Sequence, residues 1–298
     1  MANKVVRRIG AGVLIILLLV AAAIVTIYAI SARHLSRRYS LPDETLAMPT
    51  DSSSLFRGEH FATAISKCSD CHGADFGGTM FLDAMPLGRF VAPNLTGGKG
   101  SRTAGWSDAD WIRAVRHGVG PAGKPLIFMP SQALRDLNAA DLGAIIAYVR
   151  KAPAVDNVLP PTEIGPIGRF AIATNPKRLI SAEAIDHTLP FPAGIAPGPT
   201  AEYGRYLAVA GGCTFCHGEN LAGGIKEGPP GTPPSANLTP AGEVGGWSEA
   251  QFMTALREGR RPDGTTINPF MPWRLTRLMT DEEIQAVYRY VKTLPAKQ

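Results

Sequence analysis

Cys68-Ser69-Asp70-Cys71-His72 and Cys213-Thr214-Phe215-Cys216-His217 are the two stretches whose reading decides the fold. Both read C-x-x-C-H, and together they use all four cysteines of the 298-residue chain. This spacing is that of a covalent haem c attachment site. Two thiols about one helical turn apart reach the two vinyl groups of one porphyrin. The next residue then turns its imidazole toward the iron. A thioredoxin-like C-x-x-C wants a βαβ setting, which neither stretch has. A structural zinc site pools four ligands, usually from pairs closer together, and structural disulfides are the remaining alternative. Two such motifs in matched surroundings favour two haems.

Working outward, the surroundings of Cys68 recur about 145 positions later, drifting to about 142 further on. Gly58 matches Gly204, and Phe61-Ala62 matches Leu207-Ala208. Asn94-Leu95-Thr96 returns as Asn237-Leu238-Thr239, and Gly105-Trp106-Ser107 as Gly246-Trp247-Ser248. Ala114-Val115-Arg116 returns as Ala255-Leu256-Arg257, Phe128-Met129-Pro130 as Phe270-Met271-Pro272, and Tyr148-Val149 as Tyr290-Val291. Order and spacing hold throughout, so the chain is a duplicated unit of about 100 residues.

Each copy reads as a few short helices. One precedes the haem motif, over 55–65 and 201–210. A second starts at a capping serine, Ser107 with Asp110 and Ser248 with Gln251, and ends at Gly118 and Gly259. The last begins at Asn138 and at Thr280, with apolar stripes Leu142, Ile145, Ile146, Val149 and Ile284, Val287, Tyr288, Val291. No strand alternation stands out. Gly58 and Gly204 suit a close crossing of the first and last helices, with Tyr148 and Tyr290 packing there. Between the copies, nine prolines in 152–199 exclude long helices, and nearly 50 residues is long for a plain tether.

Positions Ile9–Ile30 are 22 consecutive uncharged, mostly apolar residues. As a helix they span about 33 Å, enough for a hydrocarbon core of about 30 Å. A cleaved signal peptide is the alternative, with Lys4, Arg7 and Arg8 as its basic start, but its apolar region is normally only about 7–15 residues. Residues 1–40 hold six of the basic residues and no acid, leaving 24 basic and 25 acidic residues in 41–298. That balance is unlike the basic face of a nucleic-acid binder, so no nucleic-acid partner is expected.

The reading is all-α: an N-terminal transmembrane helix followed by two tandem haem domains. The expected ranges are a cytoplasmic stub 1–8, an anchor 9–30, a linker 31–52, domain one 53–152, a Pro-rich linker 153–199 and domain two 200–298. An isolated domain this small buries little surface, and a central haem supplies the apolar body it packs around.

Each half resembles a class I cytochrome c domain. The pattern Asn-Leu-Thr, Gly-Trp-Ser, Leu-Arg-x-Gly, Met-Pro and a final Tyr-x-x-Leu/Val helix is similar to the membrane-bound cytochrome c subunits of bacterial alcohol, aldehyde and related dehydrogenases. Those subunits often carry three haems, whereas this chain has two motifs. The resemblance implies two covalent haem c groups on Cys68, Cys71, Cys213 and Cys216, outside the cytoplasm. It implies a single-pass protein of the bacterial cytoplasmic membrane with periplasmic haem domains, and Arg33, Arg37 and Arg38 against anionic headgroups.

It also implies axial ligands: His72 and His217 on one face of each iron, and a downstream methionine on the other. Met129 lies 57 residues after His72 and Met271 lies 54 after His217, in matching Phe-Met-Pro settings. Met80 and Met85 follow His72 too closely and have no counterpart. His60 and His117 are alternative ligands for haem one. The expected acceptors for the proximal histidines are the carbonyls of Pro93 and Ala236. Asn94, Asn237, Trp106, Trp247, Arg116 and Arg257 are candidates for contact with the propionates, against ordinary packing.

The function so implied is an electron-transfer protein, not an enzyme: a relay from a periplasmic dehydrogenase to a downstream acceptor of the respiratory chain. Alternatives are the di-haem subunit of a terminal oxidase, a di-haem peroxidase, which needs an open iron site, and a haem-based sensor.

Overall fold

The computed structural model describes residues 2–226 and 231–297; the outermost residues of the predicted ranges, Met1 and Gln298, lie outside them. Helix α1 spans Ala2–Ser36. It overruns the predicted anchor at both ends: past Ile30 no glycine or proline interrupts the chain before Pro42, and toward the N-terminus the helix continues through Gly12 and Gly10 to Ala2. Its apolar side chains from Val13 to Val25 are exposed, and its length and composition suffice to cross a bilayer.

In the first copy, α2 (Ser52–His60) is capped by Asp51 and runs on into a wider turn over Phe61–Ile65. Helix α3 (Cys68–His72) follows, then strands β1 (Thr79–Ala84) and β2 (Gly88–Ala92). Helix α4 (Asp108–His117) has a reciprocal capping box between Ser107 and Asp110 and stops at Gly118, whose φ of 66° suits a residue without a Cβ. The short α5 (Ser131–Leu134) leads to α6 (Ala139–Arg150), capped by Asn138. The linker contributes β3 (Glu163–Ile164) and α7 (Pro166–Thr174). The second copy repeats the plan as α8 (Ala201–Ala210), α9 (Cys213–His217), α10 (Glu249–Glu258), α11 (Trp273–Thr276) and α12 (Asp281–Thr293).

The fold is mostly helical, with one departure from the sequence reading. Strands β1, β2 and β3 form a small antiparallel sheet, with Thr79 opposite Ala92 and Gly88 opposite Ile164. It escaped notice because a bulge between Met80 and Leu82 breaks the alternation and the third strand is two residues long.

Within each copy the first and last helices cross closely. A Cβ on Gly58 would lie 2.1 Å from the Ala144 carbonyl oxygen, and one on Gly204 1.9 Å from that of Ala286. Only glycine lets the two backbones touch. Between copies the contacts are reciprocal: α5 meets α8, and α11 meets the turn at 61–65. Asp141 accepts a 2.5 Å hydrogen bond from the Tyr206 hydroxyl, while Glu283 lies 2.8 Å from His60 Nε2. Asp141 and Glu283 are equivalent in the repeat, as are His60 and Tyr206, so the two halves meet about an approximate two-fold axis. One core, including Phe61, Ile65, Leu142, Leu207, Ile284 and Val291, runs through both.

The linker is not a tether. Its Ile172, Leu179 and Ile180 are buried with Phe90 and Val119 in a second core that also receives Leu35 from the end of α1 and Tyr39 just after it. Helix α7 packs on α1, where Arg169 reaches Ser31 Oγ at 3.4 Å and lies over the Tyr28 ring. Arg37 and Arg38 also turn toward the protein: Arg37 pairs with Glu183 at 2.9 Å, and Arg38 donates to the Ala122 carbonyl at 2.6 Å. These are protein partners where headgroup contact was expected.

Candidate functional site

The two C-x-x-C-H segments fold alike for the same local reason. Each begins after a left-handed residue, Lys67 or Gly212, and closes on a glycine of positive φ, Gly73 or Gly218. The single helical turn between puts both thiols on one side and the histidine at its end. The histidines are buried. His72 Nδ1 lies 2.9 Å from the Pro93 carbonyl oxygen and His217 Nδ1 2.7 Å from that of Ala236. A carbonyl can only accept, so Nδ1 carries the proton and Nε2 keeps its lone pair. Burial lowers the pKa of both rings, outweighing the carbonyl contacts, and so favours the neutral form. It also raises the thiols, Cys68 to about 11 and Cys71 to about 12.

Two glycines not singled out in the sequence make this approach possible. A Cβ on Gly78 (φ 84°) would lie 2.6 Å from the Pro93 carbonyl carbon; one on Gly223 (φ 68°) would lie 2.4 Å from the Ala236 oxygen. Their matched spacing after each His-Gly was the available signal. Asn94 and Asn237 then fix the acceptor loops. Each side-chain oxygen accepts from the backbone N–H of the threonine two residues on, at 2.9 Å, and from its hydroxyl, at 2.8 Å. Their amides donate to the carbonyls of Val155 and Lys297.

In the first copy these residues face a cavity of about 630 Å³. Cys68, Cys71, His72, Pro93, Asn94, Trp106 and Met129 all lie on its lining, beside Phe90, Trp111 and Leu134. The linker closes part of its rim with Leu159, Pro160 and Pro161. The Met129 carbonyl is held at 2.5 Å by Ser181 Oγ. Paired thiols, an imidazole with a free lone pair, a thioether and aromatic walls fit a flat apolar macrocycle around iron. In the second copy Met271 occupies the matching turn, each methionine carbonyl accepting from the backbone N–H two residues on.

The remaining candidates have other partners. Fully buried Arg116 donates to the carbonyls of Arg135 and Leu189 and pairs with Glu44. Arg257 donates to the carbonyls of Arg277 and Met279 and pairs with Asp281. Both hold a helix to the following turn, the ordinary packing role weighed against propionate contact. Trp247 packs on the core, and its carbonyl accepts from Tyr288. His60 is engaged by Glu283, and His117 by Glu44 and His187. Met80 and Met85 are exposed.

Residues 57–149 match the family model described as cytochrome c oxidase, cbb3-type, subunit III, and residues 201–295 match that of cytochrome c. The chain is similar to the fructose dehydrogenase cytochrome subunit of Gluconobacter japonicus, 39% identical over 114 residues, which are 36% of this chain and 23% of the relative. It is similar to the cytochrome c subunit of alcohol dehydrogenase (quinone) from Gluconacetobacter polyoxogenes, 38% identical over 102 residues, 32% of this chain and 22% of the relative. The matched stretch thus spans less than a quarter of these relatives. A diheme cytochrome c-type protein of Cereibacter sphaeroides is 28% identical over 301 residues, covering 92% of this chain and 96% of the relative.

Proposed function

From a chain that carries two cytochrome c domains, each with one covalent haem c, we propose a membrane-anchored di-haem carrier that relays electrons from a periplasmic dehydrogenase to the respiratory chain. The observation that carries this reading is the single lining shared by Cys68, Cys71, His72 and Met129. The domains extend over about 53–152 and 200–298.

Haem supplies one-electron chemistry at its iron. Cys68 and Cys71, and Cys213 and Cys216, tether it. His72 and His217 offer Nε2 as the proximal donor, oriented by the Pro93 and Ala236 carbonyls. Met129 and Met271 would supply a thioether as the second donor to the iron, which would favour the ferrous state and a positive potential. With a histidine and a methionine both bound, the iron would offer no position for a substrate, so the residues would serve transfer and not catalysis. Trp106 shields the first site from water.

Helix α1 serves as the anchor, with its N-terminus cytoplasmic and the haem domains periplasmic, where haem is attached to such motifs. The dehydrogenase subunits among the relatives support a dehydrogenase as donor. The match of residues 57–149 favours a second reading, the di-haem subunit of a terminal oxidase.

A redox titration of the purified holo-protein, followed by reduction assays with candidate dehydrogenases and oxidation by a purified haem-copper oxidase, tests the reading. Two positive potentials with dehydrogenase-driven reduction support it. Direct oxidation by the oxidase without any dehydrogenase coupling favours the second reading. One strongly negative haem that reacts with peroxide refutes both.

A further inference from the structure

Lys67, immediately before Cys68, holds its backbone at φ 52°, ψ 38°. This left-handed region costs any residue with a Cβ, and only glycine enters it freely. Its counterpart before Cys213 is Gly212, at φ 71°, ψ 16°. The first copy therefore keeps a strained residue where the second has the one that fits. Such strain persists where the surroundings over-determine it, and it points to a role.

The side chain shows what over-determines it. Lys67 Nζ donates to the Ile65 carbonyl at 2.9 Å and to the Gly211 carbonyl at 2.8 Å. Ile65 stands three residues before Cys68 and Gly211 two before Cys213. The two carbonyls close equivalent turns, one in each copy, where the first helix gives way to the haem motif. One buried amine thus joins the two attachment segments near the approximate two-fold axis; burial lowers its pKa, while Asp70 and the cysteines of both motifs, with the two carbonyls it bonds, favour the ammonium form. At 212 the left-handed backbone already favours glycine, and a second lysine there would bring two like charges to the same crossing.

We propose that Lys67 is a positioning residue for electron transfer between the two haems: it locks the attachment segments against each other, and its charge is shared by both haem sites. This inference rests on the relay reading and deepens it.

The test uses the full-length holo-protein as Lys67→Gly and as the relocation variant Lys67→Gly/Gly212→Lys. The first gives copy one the residue copy two already uses, so both haems are expected to attach. The readouts are the potential of each haem and the exciton splitting of the haem–haem pair in Soret circular dichroism. Lys67 lines the first pocket and is within electrostatic reach of Cys68, Cys213 and Cys216, and loss of one such charge shifts a nearby reduction equilibrium by roughly tenfold. Lys67→Gly should therefore make both haems harder to reduce by about that factor and weaken the splitting. The relocation variant should restore both, because its ammonium returns to the same axis from the other side. A shift or loss confined to haem one, no shift at all, or failure of the relocation to restore either haem overturns the proposal. Unmodified haems that exchange no electrons would instead refute the relay reading together with it, whereas normal wild-type haems unmoved by Lys67→Gly refute this proposal alone.

Discussion

Glu283, in the first turn of the last helix of the second copy, lies 2.8 Å from His60 Nε2 on the first helix of the first copy. The reverse contact joins Asp141 to Tyr206. Removing one partner of a largely buried polar pair costs about 1–3 kcal/mol. His60→Ala and Tyr206→Phe should each lower the unfolding free energy by that amount in denaturant titrations, with both haems still attached. An unchanged midpoint in both would show that these pairs do not hold the copies together.

Gly58→Ala and Gly204→Ala drive a methyl group into the Ala144 and Ala286 carbonyls. Overpacking of this kind costs about 1–3 kcal/mol or more. Each variant should unfold earlier on heating and yield less holo-protein, whereas Gly224→Ala, with open space around it but also at positive φ, should cost no more than about 1–2 kcal/mol.

His117 and His187 face each other at 3.0 Å through their Nδ1 atoms, so both cannot be protonated without repulsion. Glu44 and Arg116 border His117, while Asp186, Arg135 and Tyr39 border His187. Burial pushes both rings below the ordinary 6.5, outweighing the carboxylates. The unfolded chain then binds protons more readily than the folded one. Stability from this pair is complete above about pH 6.5 and declines as pH falls through that value. Denaturation between pH 7.5 and about 5 should show the decline, and His187→Gln should flatten it.

Met271→His replaces a thioether by a nitrogen donor and should lower the potential of one haem, leaving the other unchanged. Met129→His should act on the other. A spectroelectrochemical titration in which either variant moves both haems equally would contradict separate ligation.

Cys68→Ser/Cys71→Ser should leave the first copy without stable tertiary structure. Without the macrocycle the apolar walls around the cavity of about 630 Å³, among them Phe90, Trp111 and Leu134, lose the body they pack against and face water. Cooperative unfolding of the first copy, matching the holo-protein by hydrogen exchange, would refute this.

The features legible in the sequence are those fixed by short-range chemistry. The C-x-x-C-H turns, the serine and threonine caps, and the glycines at helix crossings each act through a few neighbouring atoms. The carbonyls of Pro93 and Ala236 were reachable through the family pattern. The β1–β2 hairpin was hidden because the bulge between Met80 and Leu82 breaks the alternation in β1, while β2 alternates over only five residues, two of them Gly88 and Ala92. Arg116 and Arg257 were visible as repeated positions, but their carbonyl partners come from turns about 20 residues away, and repetition says nothing of partners. The contacts of Lys67, Asp141 and Glu283 between the copies depend on how two like domains meet, which periodicity within one domain does not encode. The one trace of it was a lysine aligned with a glycine.

The seating of α1 on α7 has a consequence for how the molecule meets others. A haem domain on a loose leash sweeps a volume and finds its target by its own search. Here Arg169, Tyr28 and Ser31 bolt the apolar helix to the domain it carries, so the first haem pocket keeps a fixed bearing and height relative to that helix. With α1 seated in a bilayer as proposed, encounter would depend on drift in the plane and on the approach of the visitor, with little orientational freedom left to freeze at the moment of docking.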